Sequence, residues 1–210
     1  MVSLPDVPDL SARALVDLLA WFGPLPSWAG SAVVLAGEIA LLAMVGGWLR
    51  LWVLARAAPA RVVALVMAVP VAVGLAWGVS EALKQLWRVD RPCRLLVSFP
   101  GWAQCPPAGD WSFPSNHAAI AGALTVGIVV IAWRLGSGWT GVLALSAGPV
   151  VVVSRVVAGA HFPHDVVVGA VLGGIVAAMT AIVFVLITPP LIERLRHSRR
   201  SWAGGSRSSW

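Results

Sequence analysis

Five long apolar runs constrain the fold of this chain more than any other feature of its sequence. They cover residues 31–53, 61–83, 118–133, 139–157 and 166–188, and a helix needs roughly 20 mainly apolar residues to cross a bilayer. The chain is 59% hydrophobic and only 11% charged, whereas soluble domains carry about 25% charged residues. The sequence therefore predicts an all-α, polytopic integral membrane helical bundle with five transmembrane helices.

Three segments are predicted around these runs. Within residues 1–30, Ser11 to Phe22 has apolar positions at helical spacing but is too short to span, so we expect an interfacial or partly inserted helix, or a shallow sixth one. Residues 31–189 would form the membrane core, with a long polar loop over residues 84–115. Residues 190–210 form a basic tail that is rich in Ser and Gly from Glu193 onward, a composition typical of disorder.

Positive charge at the ends of the runs predicts the orientation in the membrane. Arginines lie between runs one and two, between runs three and four, and after run five: Arg50, Arg56, Arg61, Arg134, Arg194, Arg196, Arg199 and Arg200. We assign these regions and the C-terminus to the cytoplasm, which places residues 84–117 and 155–165 together outside. Abundant Ala, Gly, Pro and Arg suggest a GC-rich bacterial genome, and hence the inner membrane of a bacterium. Because the basic residues fall at helix ends rather than on one face, no nucleic-acid partner is expected.

The predicted outer face carries two polar clusters around the long loop. Lys84 and Arg91-Pro92 lie at the start of the loop, and Pro114-Ser115-Asn116-His117 lie at its end, immediately before the third run. A Pro-Ser pair before an apolar run predicts a helix start with Ser115 as N-cap. The free N–H groups of such a helix end bind phosphate readily. His117 adds a titratable group in the first turn.

A third cluster lies between the fourth and fifth runs. Arg155 interrupts an otherwise apolar stretch, and a charge within a membrane segment is a functional hypothesis by default. Pro163 suits the first position of a helix, and Phe162 before it is disfavoured in the α region. His161 would then precede the helix, and Asp165 in its first turn would reach back to the imidazole. Such a carboxylate fixes the tautomer and frees the other ring nitrogen to attack. His164 is interpreted as a rim residue.

The three clusters together supply two histidines, one carboxylate and several cations at one face of the membrane. This set suits phosphoryl transfer, in which cations stabilise the phosphoryl oxygens, one imidazole attacks and another protonates the leaving oxygen. A metal site is disfavoured, because no second carboxylate has ligand spacing to the histidines. The sequence therefore predicts no cofactor.

The motifs resemble the three signature motifs of the type 2 phosphatidate phosphatases. These lipid phosphate phosphatases are relatives of the vanadium haloperoxidases, and the match covers Lys84 to Asp165 with order and spacing kept. The resemblance implies His161 as nucleophile, Asp165 as its partner and His117 as general acid. It implies that the phosphate is bound by Lys84, Arg91, Ser115, Asn116 and Arg155. The implied partners are a lipid phosphate or diphosphate and the membrane lipids.

One position departs from the family pattern, because most members have Gly where this chain has Asn116. A polar residue there is similar to the undecaprenyl-diphosphate phosphatases of the bacitracin-resistance type, which favours a polyprenyl diphosphate as substrate. Phosphatidate or phosphatidylglycerophosphate hydrolysis is the alternative. A transporter or channel using Arg155 and Glu38 is a remote one, since the chain lacks the matching halves that transporters show. Five apolar runs argue against a haloperoxidase, because those relatives are soluble.

Two further pairs of residues remain as hypotheses. Cys93 and Cys105 lie in the predicted outer loop, where an oxidising compartment permits a disulfide; two reduced thiols are the alternative. Glu38 and Glu81 lie within or at the edge of apolar runs. Each is expected either to pair with an outer cation or to be a simple helix-end residue.

Overall fold

The structure of the protein, a computed structural model, describes residues 7–22, 26–96 and 104–205. These residues contain eight helices and no strand. The helices are α1 (Asp9–Phe22), α2 (Ser27–Ala55), α3 (Ala60–Trp87), α4 (Pro92–Leu95), α5 (Asn116–Arg134), α6 (Gly138–Val157), α7 (Pro163–Ile187) and α8 (Pro189–Gly205).

Five of these helices, α2, α3, α5, α6 and α7, are long and apolar enough to cross a membrane. Large apolar side chains such as Leu42, Leu86, Met179 and Leu186 point outward and are more than half exposed. A soluble protein would not leave so many of them in water, but a lipid-facing surface requires them. The prediction of an all-α bundle with five spans is confirmed, and the chain is a multi-pass membrane protein.

Helix α5 lies in the interior of the bundle and packs against α2, α3, α6 and α7. Its contact with α7 is close because each of the two helices presents a glycine to the other. A Cβ atom at Gly173 would lie 1.9 Å from the carbonyl oxygen of Ala119, and one at Gly122 would lie 2.1 Å from that of Ala170. Small residues commonly allow such close backbone approach between membrane helices. This contact holds the N-terminal ends of α5 and α7 side by side.

Substitution of Gly173 by alanine is expected to destabilise the protein by at least about 2 kcal/mol, because the added methyl meets a backbone oxygen that cannot move aside alone. The measurement is thermal unfolding in detergent. Gly74→Ala is the matched control, since no atom lies within 4 Å of its added Cβ and alanine is the better helix former. Equal melting temperatures for the two variants would contradict the close α5–α7 contact.

Helix α1 does not provide a sixth span. Its 14 residues correspond to about 21 Å of helix, shorter than the roughly 30 Å hydrocarbon core. Its inner face, formed by Ser11, Ala12 and Leu15, is buried, and α1 contacts α6 and α7. The backbone N–H of His164 donates to the Ser11 hydroxyl, at 3.1 Å. The helix therefore lies against the bundle at the end where α7 begins.

Two details of the predicted segments differ in the structure. The polar loop does not begin at Lys84, because α3 continues through this residue to Trp87 and ends where Arg88 adopts a left-handed conformation. The tail is not disordered throughout, since α8 covers residues 189–205. Arg196 on α8 donates to the carbonyl oxygens of Arg56 and Ala58 in the α2–α3 connection. Hydrogen bonds to the bundle thus hold part of a segment whose composition alone suggested disorder.

Candidate active site

The structure brings the three polar clusters together around one cavity at one end of the bundle. The cavity has a volume of about 520 Å³ and lies between the end of α3, the start of α5, the end of α6 and the segment that precedes α7. Its polar lining consists of Glu81, Lys84, Arg91, Gln104, Asp110, Asn116, His117, Arg155 and His161. Val34, Trp77 and Ile120 add an apolar wall. The cavity therefore has a charged part and an apolar part.

Arg91 is fixed by hydrogen bonds to two segments, the loop at Asp110 and the turn before α7. It lies immediately before α4 and is 4% exposed. It donates to the backbone and side-chain oxygens of Asp110 at 2.9 and 2.7 Å, and to the carbonyl oxygen of Ala160 at 2.9 Å. Lys84 approaches the same Asp110 carboxylate at 3.5 Å. Partial burial alone would raise the pKa of Asp110, but Arg91 and then Lys84 outweigh it and hold the pKa below its usual range.

His161 presents its Nε2 atom to Arg91 and its Nδ1 atom to Ser112. The Arg91 Nη1–Nε2 distance is 3.2 Å, and the distance from Nδ1 to the carbonyl oxygen of Ser112 is 2.8 Å. Because a guanidinium only donates and a carbonyl only accepts, the proton lies on Nδ1 and the lone pair on Nε2. Burial lowers the pKa of His161 to about 4, although the neighbouring Asp165 carboxylate acts in the opposite direction. At neutral pH the ring is therefore uncharged, with Nε2 available as a nucleophile.

Asp165 is completely buried in the first turn of α7. Its Oδ2 atom accepts hydrogen bonds from the Ser112 hydroxyl and, at 2.8 Å, from the backbone N–H of Phe162. It lies 3.6 Å from Nδ1 of His161, beyond hydrogen-bond range. The helix start agrees with the sequence prediction, with Phe162 extended and Pro163 in the first turn. The expected direct hydrogen bond does not form, because the Ser112 carbonyl takes the Nδ1 proton.

The other oxygen of Asp165, Oδ1, lies 3.0 Å from Nε2 of His164, although it has no well-aligned hydrogen-bond donor among the described residues. His164 Nδ1 in turn lies 2.8 Å from the hydroxyl of Ser11 on α1. The residue interpreted from sequence as a rim histidine is therefore in contact with the buried carboxylate. It links α1 to the candidate site.

The start of α5 agrees with the sequence prediction in its backbone. Ser115 is the N-cap, and its hydroxyl accepts from the N–H of Ala118 at 3.4 Å. This side chain is fully buried and is not part of the cavity lining. Asn116 does line the cavity, but its amide donates to Glu81 at 2.7 Å and its carbonyl oxygen accepts from Ser80 at 2.7 Å. The Asn116 side chain is thus held by α3.

Arg155 and His117 share a carboxylate contributed by α2. Glu38 Oε1 lies 3.0 Å from Nη1 of Arg155 and 3.8 Å from Nε2 of His117. The approach of α2 to α6 is close here, because a Cβ atom at Gly37 would lie 2.0 Å from the Ser154 hydroxyl. The Nη2 atom of Arg155 is buried without a hydrogen-bond partner among the described residues. Buried polar atoms normally have a hydrogen-bond partner, and the Arg155 side chain also lines the cavity.

The loop before α5 carries a disulfide between Cys93 and Cys105. It connects α4, which follows Arg91, to the segment that leads to Asp110. Arg94 adds hydrogen bonds to the carbonyl oxygens of Pro106 and Pro107. Together these contacts attach the described part of the loop to the wall of the cavity.

Several residues of the site were not identified as such from the sequence. Asp110 and Ser112 carry no motif signal of their own, and Ser112 acts through its backbone carbonyl, which no residue type encodes. Glu38 and Glu81 were noted as membrane carboxylates, and the structure pairs each with a cation, Arg155 and Lys84 respectively. A charge within an apolar run was the available signal for Glu38. In the described part of the chain, no three His, Cys, Asp or Glu side chains are grouped to hold a metal ion.

The fold and the cavity define a helical membrane protein with a chamber lined by Lys84, Arg91 and Arg155 and a buried histidine at its wall. Residues 64–189, more than half of the chain, match the family model described as the PAP2 superfamily. The chain belongs to this superfamily, as the motifs predicted.

Two similar proteins have informative names. The protein named "Putative undecaprenyl-diphosphatase YbjG" of Escherichia coli (strain K12) is 31% identical over 134 residues, which cover 63% of each chain. The chain thus spans less than two thirds of the length of this curated relative. A solved structure, the first transmembrane PAP2-type phosphatidylglycerolphosphate phosphatase from Bacillus subtilis, is similar with a TM-score of 0.62 at 17% identity. That match covers 83% of this chain and 85% of the other, and it supports the shared fold.

Proposed function

We propose that this protein is an integral membrane lipid phosphatase that removes a terminal phosphate through a phosphohistidine intermediate without a metal ion. The observation that carries the proposal is the pairing of two groups at the cavity. One is the unprotonated Nε2 atom of His161. The other is the Arg155 guanidinium, whose buried Nη2 atom has no hydrogen-bond partner in the part of the chain that the structure describes. A nucleophile can attack the phosphorus atom of a phosphoryl group, and a cationic donor can stabilise its oxygens.

The proposed reaction has two steps. In the first, Nε2 of His161 attacks phosphorus, the P–N bond forms and the bond to the leaving oxygen breaks, with His117 donating the proton to that oxygen. In the second, water attacks phosphorus, His117 takes the proton of the water, and the P–N bond breaks to release inorganic phosphate. Lys84, Arg91 and Arg155 stabilise the charge on the phosphoryl oxygens, as arginine and lysine do in other phosphoryl-transfer sites.

Ser115 and Asn116 have a different part in this proposal. Both lie at the N-terminal end of α5, where backbone N–H groups and the helix dipole favour an anion. Since their side chains are engaged within the protein, they contribute to phosphate binding through the backbone and the shape of the helix end. The Asp165 carboxylate stabilises the positive imidazole that forms when His161 is phosphorylated.

The proposed substrate is a polyprenyl diphosphate, with undecaprenyl diphosphate as the first candidate. The name of the Escherichia coli relative supports it, as does the polar Asn116 at the position where most family members have Gly. Phosphatidylglycerophosphate or phosphatidate is the alternative, which the name of the Bacillus subtilis structure supports. The apolar wall formed by Val34, Trp77 and Ile120 suits the lipid chain of either class.

Leaving-group chemistry separates these two substrate classes. Hydrolysis of a diphosphate expels a phosphate monoester, which is a stable anion, whereas hydrolysis of phosphatidate expels an alkoxide that needs a proton. General acid catalysis contributes about 10²–10⁴-fold. His117→Ala is therefore expected to reduce kcat/KM much more for phosphatidate than for undecaprenyl diphosphate, measured as phosphate release in excess chelator.

His161→Ala is the companion variant in this assay and should inactivate the enzyme toward both lipids. Equal losses for the two lipids in His117→Ala would show that His117 binds phosphate rather than donating a proton. Loss of the parent activity in chelator, with recovery on addition of Mg²⁺, would contradict the metal-independent mechanism. Release of phosphate from neither lipid would contradict the proposed function itself.

We further propose that the cavity opens to the outside of the bacterial inner membrane and that the C-terminus is cytoplasmic. The positive charge at the opposite end of the bundle supports this orientation. Ala108→Cys, at an exposed position in the cavity-side loop, is expected to react with an impermeant maleimide in intact cells. Ala57→Cys, exposed in the α2–α3 connection, is the matched control and should react only after lysis. The reverse pattern would invert the topology.

A further inference from the structure

A second cavity lies toward the opposite end of the bundle from the candidate active site. It has a volume of about 430 Å³ and lies between α3, α5 and α7. Its walls are apolar and include small residues such as Ala68, Ala72, Gly127 and Ala178. Because these side chains are small, the cavity is a groove on the surface of the bundle, and we call it the groove. No acidic residue lines it.

The depth of the groove matches one leaflet of a bilayer. Along α3 its lining extends from Arg61 to Ala72, which corresponds to about 16 Å of helix. The hydrocarbon core of a bilayer is roughly 30 Å thick, so the groove covers about half of it. One acyl chain of a phospholipid reaches over the same depth. The groove is therefore long enough for one acyl chain of a lipid in the leaflet at this end of the bundle. It does not extend into the opposite leaflet.

Two arginines stand at the outer end of the groove. Arg61 lies in the first turn of α3 and Arg134 is the last residue of α5, and both line the cavity. In residues 7–22, 26–96 and 104–198, neither has a carboxylate within ion-pair distance. The Arg134 guanidinium lies over the Trp133 ring, 5.4 Å from its centroid, which suits the polar–apolar boundary of a membrane.

We propose that this groove binds an anionic phospholipid of the leaflet at its own end of the bundle. One acyl chain would lie between α3, α5 and α7, and the headgroup phosphate would contact Arg61 and Arg134. Charge complementarity selects this occupant, because two cations without carboxylate partners stand above an apolar groove of one-leaflet depth. The site is separate from the phosphatase chamber, and it has no histidine in its lining, so the lipid is bound there and not hydrolysed.

The test uses two photoreactive lipids with identical acyl chains and different headgroups. Full-length protein in phosphatidylcholine nanodiscs receives a small fraction of either a phosphatidylglycerol or a phosphatidylcholine probe with a diazirine on one acyl chain. Cross-linked peptides are mapped by mass spectrometry. We expect labelling of residues 65–72, 126–130 and 177–186, and stronger labelling by the phosphatidylglycerol probe. Equal labelling by the two probes would mean ordinary lipid contact and would overturn the proposal.

Variants test the two parts of the site separately. A basic residue near an anionic headgroup contributes roughly 1 kcal/mol, or about fivefold in binding, so the Arg61→Gln/Arg134→Gln double variant should lose most of the phosphatidylglycerol preference. Arg56→Gln, an exposed arginine at the same end outside the groove, should retain it. Ala178→Phe, at an exposed groove position, keeps both arginines and should reduce labelling by obstructing the chain. Unchanged labelling in the double variant and in Ala178→Phe would overturn the proposal.

Discussion

Replacement of His161 by alanine is expected to lower kcat/KM for every lipid phosphate by on the order of 10⁴-fold or more, the loss typical when a covalent nucleophile is removed. The expectation follows from the position of His161, which lines the cavity and whose unprotonated Nε2 atom lies 3.2 Å from Nη1 of Arg91. Phosphate release under kcat/KM conditions is the measurement. His197→Ala, which removes an exposed histidine on α8, is the matched control and should have parent activity.

A chemical readout distinguishes nucleophile from binding residue. A P–N bond to histidine is labile in acid and stable in base, so parent protein quenched in base during turnover should carry phosphate on His161. The His197→Ala protein should carry it as well, and the His161→Ala protein should not. Phosphate found on another residue, or activity retained in His161→Ala, would contradict the proposed intermediate.

Asp165→Asn is expected to have the second largest effect, a loss of about 10⁴-fold in kcat/KM, comparable with replacement of the carboxylate in a catalytic triad. Phosphorylation places a positive charge on a completely buried imidazole, and Asp165 is the nearest carboxylate, 3.6 Å from Nδ1. An asparagine occupies the same volume without the negative charge. Thermal unfolding should show that the variant is folded, and phosphate release measures the effect.

Ser112→Ala is the control that separates charge from orientation. It removes the hydroxyl that donates to Asp165 but keeps the backbone carbonyl that accepts the Nδ1 proton of His161. Its loss of activity should therefore be far smaller than that of Asp165→Asn. A mild effect of Asp165→Asn would show that the Ser112 carbonyl alone orients the imidazole, and that the carboxylate has only a structural part.

Features of the fold that depend on local sequence were predictable. The apolar runs predicted the five spans, because a bilayer imposes a minimum length on any helix that crosses it. The starts of α5 and α7 followed from Ser115 and Pro163, whose preferences are local. Successive spans cross the membrane in opposite directions, so alternate connections lie on the same side. The position of the three clusters at one face followed from this alternation. Each of these predictions needed only the residues of one short segment and the thickness of the bilayer.

Contacts that depend on the packing between helices were not predictable. Glu38 reaches Arg155 only because Gly37 lets α2 approach α6 closely, and 117 positions separate the two charged residues in the sequence. The orientation of His161 depends on a backbone carbonyl at Ser112, which follows from the path of the loop rather than from a side chain. Helix α8 is attached to the bundle by hydrogen bonds from Arg196 to the α2–α3 connection. Its composition gives no sign of these contacts.

The carboxylates that pair with the arginines of the chamber have a consequence for product inhibition in the proposed mechanism. Arg91 faces Asp110 at 2.7 Å, and Arg155 faces Glu38 at 3.0 Å. In the proposed mechanism, an incoming phosphate would compete with carboxylates that already hold these arginines. It would gain only the difference between the two attractions. Inorganic phosphate, which makes no contact through a lipid chain, is held less tightly than it would be by cations without counter-charges. In the proposed mechanism, the balance that weakens product binding would leave the substrate to obtain its affinity from its apolar tail, and the site would empty after each turnover.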